Sequence, residues 1–160
     1  MSTPDTWLGG ITVPRPMPEW ADRSMMAFAE PHDGHSLPSS VTVSRDERRS
    51  AADPVGESFE EYVQRQRQVL ETNLPGFQSR RPTPLGTGAA GVQDALFSWR
   101  SGAFSLTQWV VWRTMPDATV MTYTATSESS RFDDQRALFE DHLRRILVSG
   151  SSGGRCPMPR

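Results

Sequence analysis

The sequence predicts an α+β fold, a curved antiparallel β-sheet with two main helices in a single domain. Three observations predict it. Two stretches, one mid-chain and one near the end, carry apolar residues at helical spacing. Strand-like segments between them are joined by connections of only a few residues, which suit antiparallel hairpins. The 160 residues suit one core, large enough to need no disulfide or metal.

The elements follow in order. Residues 1–7 read as an N-terminal arm, 8–148 as the domain and 149–160 as a disordered Gly/Ser/Pro tail. Residues 1–20 are proline-rich, and Ile11-Thr12-Val13 suits a short edge strand, where proline neighbours are tolerated. Ser24 to Ala29 and Ser40 to Ser44 read as two strands, and the polar stretch 45–57 as a flexible connection. Ser58 followed by Glu61 forms a capping box, which satisfies free N–H groups of the first helical turn. Phe59, Tyr62, Val63, Val69 and Leu70 then fall on one stripe, and Leu74-Pro75-Gly76 ends the helix. Strands are expected at Phe77 to Arg81, Val92 to Arg100, Phe104 to Arg113 and Thr119 to Thr126. A last helix starts at Ser130 and buries Phe132, Phe139, Leu143 and Ile146. Asp133 and Asp134 near its start, with Arg144 and Arg145 near its end, suit the helix dipole.

Charge and composition exclude several function classes. The net charge is -2, all seventeen basic residues are arginine, and they are scattered. Without a basic face the chain is a poor nucleic-acid binder, since phosphate contacts supply most of that affinity. No apolar run approaches the roughly 20 residues that span a bilayer, so no direct membrane insertion is expected. Met1 to Gly10 lacks the basic-then-apolar order of a secretory signal. The one cysteine, Cys156, allows no internal disulfide, which fits a reducing cytoplasm.

Three motifs resemble chemistry and fail on context. Gly86-Thr-Gly88-Ala-Ala-Gly91 matches the dinucleotide fingerprint, but a strand pattern follows it where the fingerprint needs a helix. Gly150-Ser-Ser152-Gly-Gly154 matches a nucleophile elbow but sits in the tail. His32-Asp33-Gly34-His35 offers possible metal ligands, but no second cluster completes a shell. His142 sits at the edge of the last helix's apolar stripe, where a core-edge role outweighs that of a base. No catalytic residue, cofactor or metal site is therefore expected, and the chain does not read as an enzyme.

More informative are polar residues in apolar positions. Gln66 follows Tyr62 and Val63 by four and three residues, and precedes Val69 and Leu70 by three and four. Gln108 is the only polar member of the face Phe104, Leu106, Gln108, Val110, Trp112. Each amide either bonds a group of its own domain or points into a groove and bonds a ligand. The opposite face of that strand carries Trp109 and Val111. Two helices are expected to cover only one sheet face, so the second apolar face implies a partner, either another subunit or a bound segment. Ser40, Thr42 and Ser44 alternate with Val41 and Val43, giving a row of small hydroxyls that a helix backbone could approach closely.

Together these residues resemble the DcrB-like domain and, within it, the Eag (effector-associated) chaperones of bacterial type VI secretion. The likeness is carried by Ser40-Val-Thr-Val-Ser-Arg-Asp46, Phe59-Glu-Glu-Tyr-Val-Gln-Arg-Gln66, Leu74-Pro-Gly-Phe77 and Gln108-Trp-Val-Val, and spans roughly residues 8–148. The resemblance implies a cytoplasmic homodimer that shields the hydrophobic N-terminal transmembrane helices of a secreted effector before export. It implies client-binding residues at Met25, Ala27, Ser40, Thr42, Ser44, Gln66 and Gln108. Ala27 stands where a larger aliphatic residue is expected, which would widen the groove. The alternative is an envelope or ligand-binding module of the same fold that holds a small apolar ligand. DcrB-like domains also occur in envelope lipoproteins, but no lipobox cysteine is present.

Overall fold

The protein's structure is a computed structural model that describes residues 6–8, 11–13, 25–31, 34, 36–49, 56–86, 90–116 and 119–149. Outside these lie His32, Asp33, His35, Ser24, residues 87–89 of the glycine-rich loop and the 150–160 tail with its Gly-Ser-Ser-Gly-Gly motif.

Eight strands and two helices are present among the described residues: β1 (Thr6–Leu8), β2 (Ile11–Val13), β3 (Met25–Ala29), β4 (Ser40–Glu47), α1 (Phe59–Asn73), β5 (Gln78–Arg80), β6 (Val92–Ser101), β7 (Phe104–Thr114), β8 (Thr119–Glu128) and α2 (Phe132–Ser149). Ile11–Val13 is a strand as expected, and it pairs antiparallel with β1 in a small sheet of two. The main sheet has six strands in the order β3-β4-β8-β7-β6-β5, antiparallel throughout and open at both edges.

Local chemistry explains the elements. Ser58 Oγ accepts the Glu61 N–H at 3.1 Å, and Glu61 Oε2 accepts the Ser58 N–H at 2.7 Å, so the expected capping box is complete. The N–H of Leu74 donates to the Leu70 carbonyl at 3.0 Å and closes α1. Gly102 supplies the positive φ of 60° that the tight turn between β6 and β7 requires. Gly91 opens β6 with φ 79°, and a Cβ there would come within 2.8 Å of Thr114 Cγ2. That glycine therefore serves a strand start, in keeping with the failed fingerprint.

The chain enters β4 near one edge, crosses the sheet as α1, and resumes at the far edge in β5. It returns strand by strand until β8 pairs with β4. Alternate residues of the central strands then feed two cores. Val41, Leu96, Trp109, Val111, Tyr123 and Ala125 pack against Phe132, Phe139 and Leu143 of α2. Phe97, Val110, Trp112 and Val120 pack against Phe59, Tyr62 and Val63 of α1.

This arrangement corrects one expectation. The two helices lie on opposite faces of the sheet, so each apolar face of β7 meets a helix of its own chain. The doubly apolar strand therefore implies no partner. Three smaller corrections follow. β4 runs on to Glu47, so 45–47 belongs to a strand and not to a flexible connection. α2 begins at Phe132, after a turn at 129–131. It also continues past the arginines, leaving no basic residue in its last turn; Arg144 and Arg145 instead pair with Asp141 at 3.3 and 3.2 Å.

A polar clamp fixes the β3–β4 hairpin from the α2 side. Glu30 accepts the Ser39 N–H at 2.9 Å and pairs with Arg131 at 3.0 Å. The Ser39 hydroxyl meets Ser127 at 2.9 Å and also donates to Gln135, which in turn bonds Glu30. The Ser39 N–H, followed by the Arg131 guanidinium, holds the Glu30 carboxyl below its ordinary value against a smaller opposing effect of burial.

Candidate functional site: an open half of the α1 face

Strand register places six of the seven expected site residues on one sheet face. Met25 pairs with Ser44, Ala27 with Thr42 and Ala29 with Ser40. Across the next junction Ser40 pairs with Thr126, Thr42 with Thr124 and Ser44 with Thr122. Thr126 pairs in turn with Gln108, and Thr124 with Val110. Because Val110 lies in the core beneath α1, every residue in these rows faces the α1 side.

α1 covers only part of that face. Its apolar residues pack on Phe97 of β6, Val110 and Trp112 of β7, and Val120 at the start of β8. The hydroxyl rows on β3, β4 and β8 flank this cluster, and Thr122, nearest Val120, bonds the Tyr62 hydroxyl of α1. Met25 is 63 % exposed, and Ala27 and Ala29 are exposed as well. The six hydroxyls are half-buried. Within these rows stand methionine, alanine, serine, threonine and one glutamine, and no charged residue.

Gln66, the seventh expected site residue, lies on α1. It lies in the sheet-facing stripe of α1, between buried Tyr62 and Val63 and half-buried Leu70, and is itself half-buried. Its amide makes no hydrogen bond to another described residue. Val69, three residues on, is an exposed apolar residue of the same helix.

Gln108 differs. Its Oε1 accepts the indole N–H of Trp99 at 2.9 Å, across the β6–β7 junction. The amide oxygen is thus bonded within the domain, and its NH2 group remains the part able to meet a ligand. The two glutamines that sequence periodicity singled out alike are therefore not equivalent.

One end of the open region is closed by a charged cluster. The Tyr62 hydroxyl donates to Asp46 Oδ2 at 3.1 Å. Burial, helped by the Asp46 charge, pushes the Tyr62 hydroxyl up to about 12, so it stays protonated at neutral pH. The Arg65 guanidinium lies 5.1 Å from the Tyr62 ring centre and bonds Glu57 twice, at 2.7 and 2.8 Å. That pairing leads the effects holding the Glu57 carboxyl below its ordinary value.

Sequence reasoning missed Thr122, Thr124 and Thr126. Their alternation in Thr122-Tyr-Thr124-Ala-Thr126 was visible, but only the register shows that they face Ser44, Thr42 and Ser40 in three cross-strand hydroxyl pairs. The surface can offer apolar contact along β3, close approach over small side chains, and hydroxyl or amide hydrogen bonds. Among the described residues no group of three His, Cys, Asp or Glu side chains is placed to hold a metal, and no helix is long and apolar enough to cross a membrane. His142 packs at the edge of the α2 core, its Nδ1 lying 3.2 Å from the Tyr123 hydroxyl.

Comparison with known proteins agrees with this architecture. No curated protein matches the chain. Its fold is similar to the crystal structure of PA94 from Pseudomonas aeruginosa, a protein of unknown function and candidate regulator. The TM-score is 0.63 at 21% identity, covering 98% of this chain and 97% of that one. A profile of the DcrB family matches residues 9–145, and the chain belongs to the DcrB family.

Proposed function

We propose that the chain is a cytoplasmic chaperone that shields the hydrophobic N-terminal transmembrane helices of a type VI secretion effector before export, and that it acts as a binding protein and not as an enzyme. The observation that carries this reading is the open half of the α1 face: an uncharged surface of six paired hydroxyls beside an exposed apolar edge strand. A water-facing sheet surface ordinarily mixes in charged residues. A transmembrane helix held out of lipid needs the opposite, namely apolar contact, small side chains for close backbone approach and neutral hydrogen-bonding groups for its few polar atoms. Neutral hydroxyls and amides meet that last need without the cost of burying a charge.

The client is an N-terminal apolar helix pair, and the test is co-expression with such a segment encoded beside this chain. Copurification with the segment is the expected result. Absence of any such neighbour, or failure of the pair to copurify, counts against the chaperone. A homodimer is part of the proposal, supported by the edge strand β3, exposed over its whole length with Met25, Met26 and Phe28 outward. Light scattering that showed only a 17.8 kDa species at micromolar concentration would exclude it.

A second reading has its own observation. On the α2 side, Phe28, Val41, Leu138 and Phe139 line a cavity of about 330 Å³ whose polar rim includes Ser39 and Gln135. A small apolar ligand would fit there. Extraction of such a molecule from the purified protein, with no segment copurifying, favours this alternative.

A further inference from the structure

We propose that a second site, on the opposite side of the sheet from the β3 edge, binds a small phosphate- or carboxylate-bearing molecule. β5 is only three residues long, so β6 from Val92 to Ala95 has no β5 partner. A cleft of about 850 Å³ opens there, walled by α1 and the segment that follows β5. That volume suits a small-molecule ligand.

Three arginines line it: Arg67 from α1, with Arg80 and Arg81 from the end of β5 and just beyond. Arg67 is held by its surroundings. Its Nη2 donates to the Asp94 carbonyl at 2.9 Å, and its guanidinium lies 5.7 Å from the centre of the Trp112 ring. Its Nε is buried without a hydrogen-bond partner. A buried unpaired donor is costly, and a small turn of the side chain toward an anion in the cleft would satisfy it. Arg80 and Arg81 are exposed, and their guanidinium groups form no ion pair or hydrogen bond among the described residues.

Two carboxylates also reach the cleft. Glu60 stands on the α1 rim. Asp94 is buried, its Oδ2 already taking the Leu85 N–H and the Trp109 indole N–H, both at 3.0 Å. Asp94 is thus committed inward, and the three guanidinium groups outweigh Glu60. Guanidinium forks suit phosphate and carboxylate oxygens, which they hold in pairs. This site is independent of the proposed client surface.

Calorimetric titration of the full chain with inorganic pyrophosphate, and separately with citrate, tests the proposal and separates a phosphate preference from a carboxylate one. One saturable site is expected for at least one probe. Arg67→Gln and the double variant Arg80→Gln/Arg81→Gln should each weaken it by about tenfold or more, the scale of a charge-assisted hydrogen bond. The double variant alters exposed side chains only, so it stays informative if Arg67→Gln fails to fold. Arg144→Gln/Arg145→Gln on α2 should bind like the wild type. Absence of a saturable site for both probes at concentrations up to about 10 mM, well above ordinary ligand affinities, overturns the proposal. So does undiminished binding in the double variant, or an equal loss in the α2 control, which would indicate diffuse attraction.

Discussion

Two halves of one sheet face differ more than its two opposite faces do. Beneath α1 the strands present Phe97, Val110 and Trp112, all buried. On the next three strands of the row that holds Val110, they present Thr124, Thr42 and exposed Ala27. The backbone ladder is continuous across this change. What alters is side-chain size and whether a helix lies above. The covered half carries large apolar groups that fill space beneath α1, as core packing demands. The three rows of the open half carry small hydroxyls, alanine and methionine without charge, between Asp46 at one end and Glu128 at the other. A face selected merely to meet water has no reason to omit charge. A face that receives another apolar element does.

The largest expected contrast lies in stability. Trp112→Ala in the covered half should cost about 3–5 kcal/mol of unfolding free energy, as removal of a buried aromatic usually does. Thr124→Arg in the open half should change the free protein by no more than about 1 kcal/mol, as surface substitutions do. Urea unfolding of both variants checks the pair. Equal losses would mean that Thr124 is as enclosed as Trp112 and that the open half does not exist.

The same Thr124→Arg change should weaken client retention by on the order of 3 kcal/mol, the cost of leaving a charge unpaired in a dry interface. Retention of the co-expressed apolar segment on an affinity column reads this out. Undiminished retention would move the client surface elsewhere.

The glutamines sharpen the comparison further. Gln66→Leu should leave the free protein as stable as before and weaken client retention by about 1 kcal/mol, the usual net value of one hydrogen bond. Gln108→Leu should in addition cost the free protein about 1 kcal/mol, because the Trp99 indole N–H loses its acceptor. Thermal melting distinguishes the two; identical melting behaviour would show that the Trp99 bond contributes nothing.

From β2 onward the order and type of the elements were legible because each carried a local signal, whereas β1 was read as part of an N-terminal arm. The capping box marked the start of α1, and the Thr-Tyr-Thr-Ala-Thr alternation marked β8. The face on which each helix lies was not legible. Helical periodicity shows which side of a helix is apolar but not which sheet face receives it. That is fixed by the crossover from β4 to the far edge, a tertiary property. For the same reason the row Ser40, Thr42, Ser44 could be read from sequence, whereas its pairing with three threonines more than seventy residues later could not. Gln108 was found by periodicity, but its bond to Trp99 depends on the β6–β7 register.

The smallest expected effect is on pH dependence, and it concerns the anchors outside the open half. Glu30 and Glu57 have folded values below the ordinary 4.5. Their stabilisation is therefore present above about pH 4.5 and lost as pH falls through the folded values. The Glu30 side chain is 36 % exposed, so its share of the loss is modest, whereas the Glu57 side chain is only 11 % exposed and carries the larger share. Glu57→Gln should flatten part of the acid limb of a stability profile, measured by melting between neutral pH and about pH 3. An unchanged acid limb would show that the Arg65 pairing does not stabilise the start of α1.

Site-specific photocrosslinking tests the central claim most directly. A photoreactive residue would replace Ala27 or Thr124 in the open half, or exposed Leu138 on α2, in separate variants co-expressed with the apolar N-terminal segment. Adducts from positions 27 and 124, with none from 138, are the expected result. Adducts from 138 alone, or a complex that copurifies without any adduct at 27 or 124, would contradict the assignment of the open half as the client surface.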